Sequence, residues 1–185
     1  MITVQDIPRP VLKLFHDIQK TEPRALLAGG YLRDLDNGKV PKDIDIFVPY
    51  DYSHNLDLLL GLDTSLSKDD YEGDDTISAQ FLCIIAGIDL PVNVLVCLRD
   101  VDPKERLERF DWGICQIAFD GRDLYATHAY MRDKMAKTFT LCRYTNYDQL
   151  QNSLNRFERL QSQSYNGWKQ VIPEGLIPKA MEDCA

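Results

Sequence analysis

The sequence predicts a mixed α/β (α+β) fold, a sheet with helices packed on it and a short helical C-terminal appendage. Three observations lead there. Short apolar runs with strand-like patterning are bounded by Gly, Pro and Asn. Helix-period segments stand between and after them without the regular alternation of a doubly wound domain. A Gly-Gly separates the first apolar run from a helix. The chain has 185 residues, 44% of them hydrophobic, enough for a core. The expected division is a sheet domain over residues 1–126 and a helical appendage with tail over 127–185.

Residues 9–19 place Val11, Leu12, Leu14, Phe15 and Ile18 at helical spacing, with Pro10 near the start. ALLA at 25–28 reads as a strand entering Gly29-Gly30. A short helix follows and closes at Asn37-Gly38. DIDIFV at 43–48 alternates before running apolar and stops at Pro49, the pattern of a half-buried strand. SHNLDLLLGL reads as a helix capped by Ser53, and residues 61–75 as an acidic loop. SAQFLCIIAG and PVNVLVCLR read as strands joined by a turn near Asp89. Asp102-Pro103 opens a short helix. WGICQIAF at 112–119 reads as a strand, and Asp120-Gly121 as a hairpin turn into DLYAT. The chain reads as helical from Thr127, most firmly over about 148–164. The tail after Trp168 reads as extended.

No apolar run reaches 18 residues, so no transmembrane helix is expected, and the first residues lack the pattern of a secretion signal. The five cysteines form no C-x-x-C pair. Reduced thiols in a cytoplasmic protein are expected, without a zinc site. The net charge of −8 argues against wholesale binding of nucleic acid. Acids dominate from Asp43 to Asp75, and basic residues from Arg122 to Lys169, Arg156 and Arg159 among them. That basic run reads either as an ordinary solvated surface or as a wall facing an acidic metal site.

Asp43 and Asp45 stand two apart on an expected strand, so their carboxylates share one face, ~6–7 Å apart. Two carboxylates so placed suit a hard cation such as Mg²⁺ or Mn²⁺; taken alone, D-x-D also fits an exposed strand face. Gly29 and Gly30 let the backbone turn tightly and let phosphate oxygens approach N–H groups. Arg33, on the helix that follows, can fork onto a phosphate. Together they read as a phosphate cradle beside a metal site. The three histidines have no ligand spacing, and no serine has a triad context. Trp112 reads as a core residue or a base-stacking one.

The stretch AGGYLRDLDNGKVPKDIDIFV resembles the signature of the DNA polymerase β-like nucleotidyltransferase superfamily, closest to the branch of tRNA CCA-adding enzymes and bacterial poly(A) polymerases. That branch reads G-G-x-x-R-D, a short helix, a basic Pro-rich turn, then D-x-D. Gly29, Gly30, Arg33, Asp34, Asp43 and Asp45 all match. A partial second match is Arg109-Phe110-Asp111-Trp112-Gly113-Ile114-Cys115, where Asp111 takes the place of the family aspartate and Cys115 that of an asparagine. A weaker third is SLNRFERLQ, similar to the Arg-rich helix after the palm.

The resemblance implies a palm-like fold and Mg²⁺-dependent transfer of a nucleoside monophosphate from a nucleoside triphosphate to an acceptor hydroxyl. The acceptor would be an RNA 3′ end, a protein or a small molecule. It implies Gly29, Gly30, Arg33, Asp111 and Arg156 as nucleotide-binding residues, with Arg159 beside Arg156, and Asp43 and Asp45 as metal ligands. The superfamily's usual third carboxylate falls at Asn93. Either Asp111 supplies that charge, from a strand beside the one carrying Asp43 and Asp45, or the site is a weakened one that binds nucleotides without turning them over. A non-catalytic interaction protein on the same fold is the third alternative.

Overall fold

The computed structural model describes residues 1–49, 77–98 and 102–176. The expected helix capped by Ser53, most of the acidic stretch and Cys184 lie outside the described residues.

Helix α1 (Arg9–Thr21) buries Val11, Leu14, Phe15 and Ile18, one stripe at helical period. Strand β1 (Leu26–Ala28) runs into helix α2 (Gly30–Asp36), whose C-cap is Asn37; Gly38 then takes φ +63°. Strand β2 is Ile44–Pro49, β3 is Ile77–Cys83 and β4 is Val92–Cys97. Helix α3 (Pro103–Glu108) is capped by the Asp102 carboxylate, which accepts from Lys104 N and Glu105 N. Strands β5 (Ile117–Phe119) and β6 (Leu124–Ala126) form the hairpin announced by Asp120-Gly121. Gly121 has φ +98°, and the Asp120 carboxylate accepts from Arg122 N, Asp123 N and the Tyr125 hydroxyl. Helices α4 (His128–Ala136) and α5 (Tyr147–Gln163) and strands β7 (Thr138–Thr140) and β8 (Lys169–Val171) complete the fold.

The main sheet has the order β3-β4-β2-β1-β5-β6, and β7 pairs β8 in a small second sheet. β2 and β4 are parallel, and the other main-sheet pairs are antiparallel. Ile44, Ile46 and Val48 of β2 join Val92, Val94 and Val96 of β4 in one core, to which α1 adds its stripe. Tyr130, Phe139, Leu150, Phe157 and Tyr165 belong to that same core, so residues after 126 complete packing begun before it. The other face gathers Leu26, Ala28, Phe47 and Leu95 under Leu107 of α3.

The structure corrects three expectations. WGICQIAF is not one strand: Gly113–Cys115 is a 3-10 turn. A Cβ on Gly113 would stand 2.6 Å from Asp133 Oδ2, so the turn is pressed against α4, and Trp112 is anchored by its indole N–H to Ser153 O. The expected helix from Thr127 stops at Lys137, which has φ +55°. There the buried Asp133 accepts from Thr138 Oγ1 and from the N–H and hydroxyl of Thr140, turning the chain into β7. Finally, β5 is not beside β2, because β1 lies between them.

Candidate active site

Strand alternation sets the first part of the site. Ile44 and Ile46 are fully buried in the core, which turns Asp45 to the opposite face; Asp43 stands just before the strand. Both line a cavity of about 570 Å³. Asp45 is in register with Asn93 of β4, and Asn93 Nδ2 donates to Asp45 Oδ1 at 2.9 Å. Gln80 of β3 donates to Asn93 Oδ1 at 3.3 Å, which orients that amide. Burial, and then the charge of Asp43, push the Asp45 carboxyl up from 3.8 to about 6, with the Asn93 bond acting the other way. Among the described residues Asp43 has no hydrogen-bond or ion-pair partner.

The Gly29–Gly30 turn borders the same cavity. Gly29 has φ +84° and ψ −130°, and a Cβ there would meet the Phe110 ring at 3.0 Å. Only glycine suits this position. Gly30 lines the cavity directly. Arg33 is 5% exposed. Its Nε donates to Asp34 Oδ1 at 2.7 Å and to Tyr165 Oη at 3.2 Å, and its Nη1 to Cys115 Sγ at 3.2 Å. The remaining nitrogen, Nη2, has no hydrogen-bond partner among the described residues and lies 3.6 Å from where a Cβ on Gly30 would stand. A buried cation thus keeps one donor for whatever occupies the turn.

Asp111 lines the cavity too, but its carboxylate is engaged elsewhere. Oδ1 accepts from Trp112 N at 2.9 Å, Oδ2 accepts from Ser153 Oγ at 2.6 Å, and Arg156 Nη1 lies 3.2 and 3.3 Å from the two oxygens. The group beside Asp45 is Asn93. Among the described residues no three His, Cys, Asp or Glu gather as a metal-ligand set, so the expected gathering of Asp111 with Asp43 and Asp45 is not seen. The physical reason is strand order: Asp111 enters the fold on the β5 side of β1, and α5 claims its carboxylate.

Six lining side chains are Arg or Lys and four are Asp, so this concavity is basic in an acidic chain. Of the expected basic wall only Arg156 and Arg159 line it; Arg33, Lys42, Arg106 and Arg109 supply the rest. Arg106 stacks over Phe47 and Phe110, at 4.6 and 5.4 Å from the ring centroids. The i, i+3 spacing of Arg106 and Arg109 was a signal that they share a helix face. Gln80 and Tyr165 left no such signal. Trp112 is fully buried and is a core residue. Cys83, Cys97, Cys115 and Cys142 are free thiols, with burial pushing Cys115 up.

No protein-family model and no curated protein matches the chain. Solved structures do. A Thermotoga maritima CCA-adding enzyme complexed with tRNA aligns at 19% identity and TM-score 0.62, over 93% of this chain and 41% of that one. A CCA-adding enzyme in complex with ATP aligns at 21% identity and TM-score 0.64, over 97% and 44%. The Bacillus stearothermophilus CCA-adding enzyme in complex with CTP aligns at 15% identity and TM-score 0.59, over 89% and 42%. The chain therefore shares the fold of the matched part of these CCA-adding enzymes, and it spans less than half the length of these structures. No helix among the described residues is long and apolar enough to cross a membrane.

Proposed function

We propose that the chain is a divalent-metal-dependent nucleotidyltransferase that moves a nucleoside monophosphate from a nucleoside triphosphate to an acceptor hydroxyl. One observation carries the reading: the Asp43–Asp45 pair and the Gly29–Gly30 turn with Arg33 Nη2 border a single basic cavity. The fold, shared with CCA-adding enzymes, supports it. The pair fits a hard cation. Asp45 is raised by burial and by Asp43, and such like-charge crowding is relieved by a cation between the carboxylates. Asp43 and Asp45 would hold Mg²⁺ or Mn²⁺, which would supply the positive charge that acidifies an acceptor hydroxyl and offsets the departing pyrophosphate.

The chain's own residues do the positioning. The Gly29 N–H is engaged with Ile117 O, so the Gly30 backbone N–H and the free Arg33 nitrogen hold phosphate oxygens, with the glycine turn leaving room for them to approach. Asn93 fixes the Asp45 carboxylate by the hydrogen bond that its side-chain amide donates. Asp111 holds Arg156 at the cavity wall, where Arg156 and Arg159 face the nucleotide. Little covalent chemistry is asked of the protein, and its work is orientation and charge stabilisation.

The acceptor classes we propose are an RNA 3′ end, then a protein or a small molecule. The RNA reading draws on the solved CCA-adding enzyme complexed with tRNA, and we propose a cytoplasmic place for it. A second reading, a nucleotide-binding pseudo-enzyme, is favoured by Asn93 standing beside Asp45 where a third carboxylate would add charge. Incubation with each of the four α-labelled nucleoside triphosphates, Mg²⁺ or Mn²⁺, and total cell RNA or protein decides. Label transferred by the wild type and lost in Asp43→Ala supports transfer. Binding without transfer supports the pseudo-enzyme, and neither binding nor transfer ends both readings.

A further inference from the structure

Behind the phosphate turn lies a closed polar triangle built from two distant parts of the chain. Tyr165, just beyond α5, donates its hydroxyl to Asp34 Oδ1 at 2.6 Å. Arg33 Nε donates to that same hydroxyl and to that same carboxylate oxygen. The Tyr165 ring lies under the guanidinium, 5.3 Å from centroid to Cζ. The ring itself is fully buried and clamped by Phe139 and Trp168, with centroids 5.2 and 4.9 Å away. A guanidinium is planar and its donors are fixed in a fork. Holding Nε and Nη1 therefore determines where Nη2 points.

Without the Tyr165 hydroxyl the fork keeps its charge, its Asp34 bond and the weaker Nη1 contact to the Cys115 thiol but loses the hydroxyl that resists rotation about the Asp34 bond. We infer that Tyr165 is a positioning residue for the phosphate turn: its hydroxyl and ring aim the free nitrogen of Arg33 at the polyphosphate, and through it the end of α5 is tied to the Gly29–Gly30 turn. This rests on the proposed function, because the nitrogen needs an anion to hold. It goes beyond that reading by making a residue 132 positions away from Arg33 a determinant of phosphate affinity.

Tyr165→Phe removes one oxygen and leaves the ring packing intact. The test is calorimetric titration of wild type, Tyr165→Phe, Arg33→Lys and the double variant with ATP, inorganic tripolyphosphate and adenosine, each with Mg²⁺. Thermal melts of every variant accompany it. The expected result is a loss of roughly tenfold in affinity for both ATP and tripolyphosphate in Tyr165→Phe, in line with one lost bond to a charged group. Adenosine affinity should be unchanged. In the Arg33→Lys background, Tyr165→Phe should cost nothing further, since the effect runs through the guanidinium. If Arg33→Lys does not fold, Asp34→Asn takes its place. A lowered Tm with unchanged ATP and tripolyphosphate affinity would make the hydroxyl merely structural and overturn the inference. Equal loss for adenosine, or full additivity with Arg33→Lys, would overturn it as well. If wild type binds neither ATP nor tripolyphosphate, the proposed function falls, and the inference with it.

Discussion

Asn93 and Asp45 face each other across the parallel β2–β4 pair, with the Asn93 amide donating to the Asp45 carboxylate at 2.9 Å. An acid in the place of Asn93 would repel Asp45; the amide binds it. Asn93→Asp should therefore lower stability without metal by about 1 kcal/mol, a Tm drop of roughly 2–4 °C for a chain of this size, and should raise the response to added Mn²⁺ or Mg²⁺. Melts with and without metal check both. An unchanged metal response would mean that no cation binds at Asp45.

Asp43 and Asp45 crowd like charges on one side of the sheet. Asp43→Ala or Asp45→Ala should abolish transfer while apo stability holds or rises, because the repulsion is removed with the carboxylate. The label-transfer assay and a denaturant titration measure the two effects. Wild-type transfer in either variant would end the metal-site reading.

The two glycines of the turn should respond differently. Gly29→Ala forces a side chain into φ +84° and to 3.0 Å from the Phe110 ring, so stability should fall by about 1–3 kcal/mol. Gly30→Val meets only the Arg33 guanidinium, at 3.6 Å from its Cβ, so the fold should survive and nucleotide affinity should be lost. Unchanged affinity in Gly30→Val would leave the turn as a turn.

Asp111 should matter for architecture and not for metal. Asp111→Ala takes the acceptor from the buried Ser153 hydroxyl and the Trp112 N–H and one contact from the partly exposed Arg156, and should cost about 1–3 kcal/mol, as expected when the acceptor of a buried donor is removed. Metal affinity of the folded protein should be unchanged. A loss of metal binding with intact stability would restore Asp111 as a ligand.

Glu22, at the end of α1, is fully buried, and neither of its carboxylate oxygens has a hydrogen-bond partner among the described residues. Burial pushes it up from 4.5 to about 7, opposed by the charge of Arg24. The folded chain therefore keeps a proton that the unfolded chain releases. This contribution to stability is complete below pH 4.5 and is lost as pH rises to about 7. Glu22→Gln should remove that slope and, at pH 8, raise stability by roughly 2 kcal/mol, a Tm gain of about 4–8 °C. Melts of both proteins from pH 4 to pH 8 should converge at the acid end; parallel curves would refute the assignment.

What the sequence determined by itself is local. The strand–Gly-Gly–helix unit at 26–36, the alternation that turns Asp45 away from Ile44 and Ile46, the Asp120-Gly121 hairpin and the length of α5 all follow from preferences within a few residues, and the structure repeats them. The tertiary structure alone decided what stands opposite what. It put β1 between β2 and β5, which made Asn93 and not Asp111 the neighbour of Asp45. It broke the expected strand at Gly113 against Asp133, replaced most of the expected basic wall with Lys42, Arg106 and Arg109, and brought Tyr165 under Arg33. Each of these is a contact between segments far apart in the chain. Strand order and the free space left by packing select such contacts, and no short-range pattern encodes either.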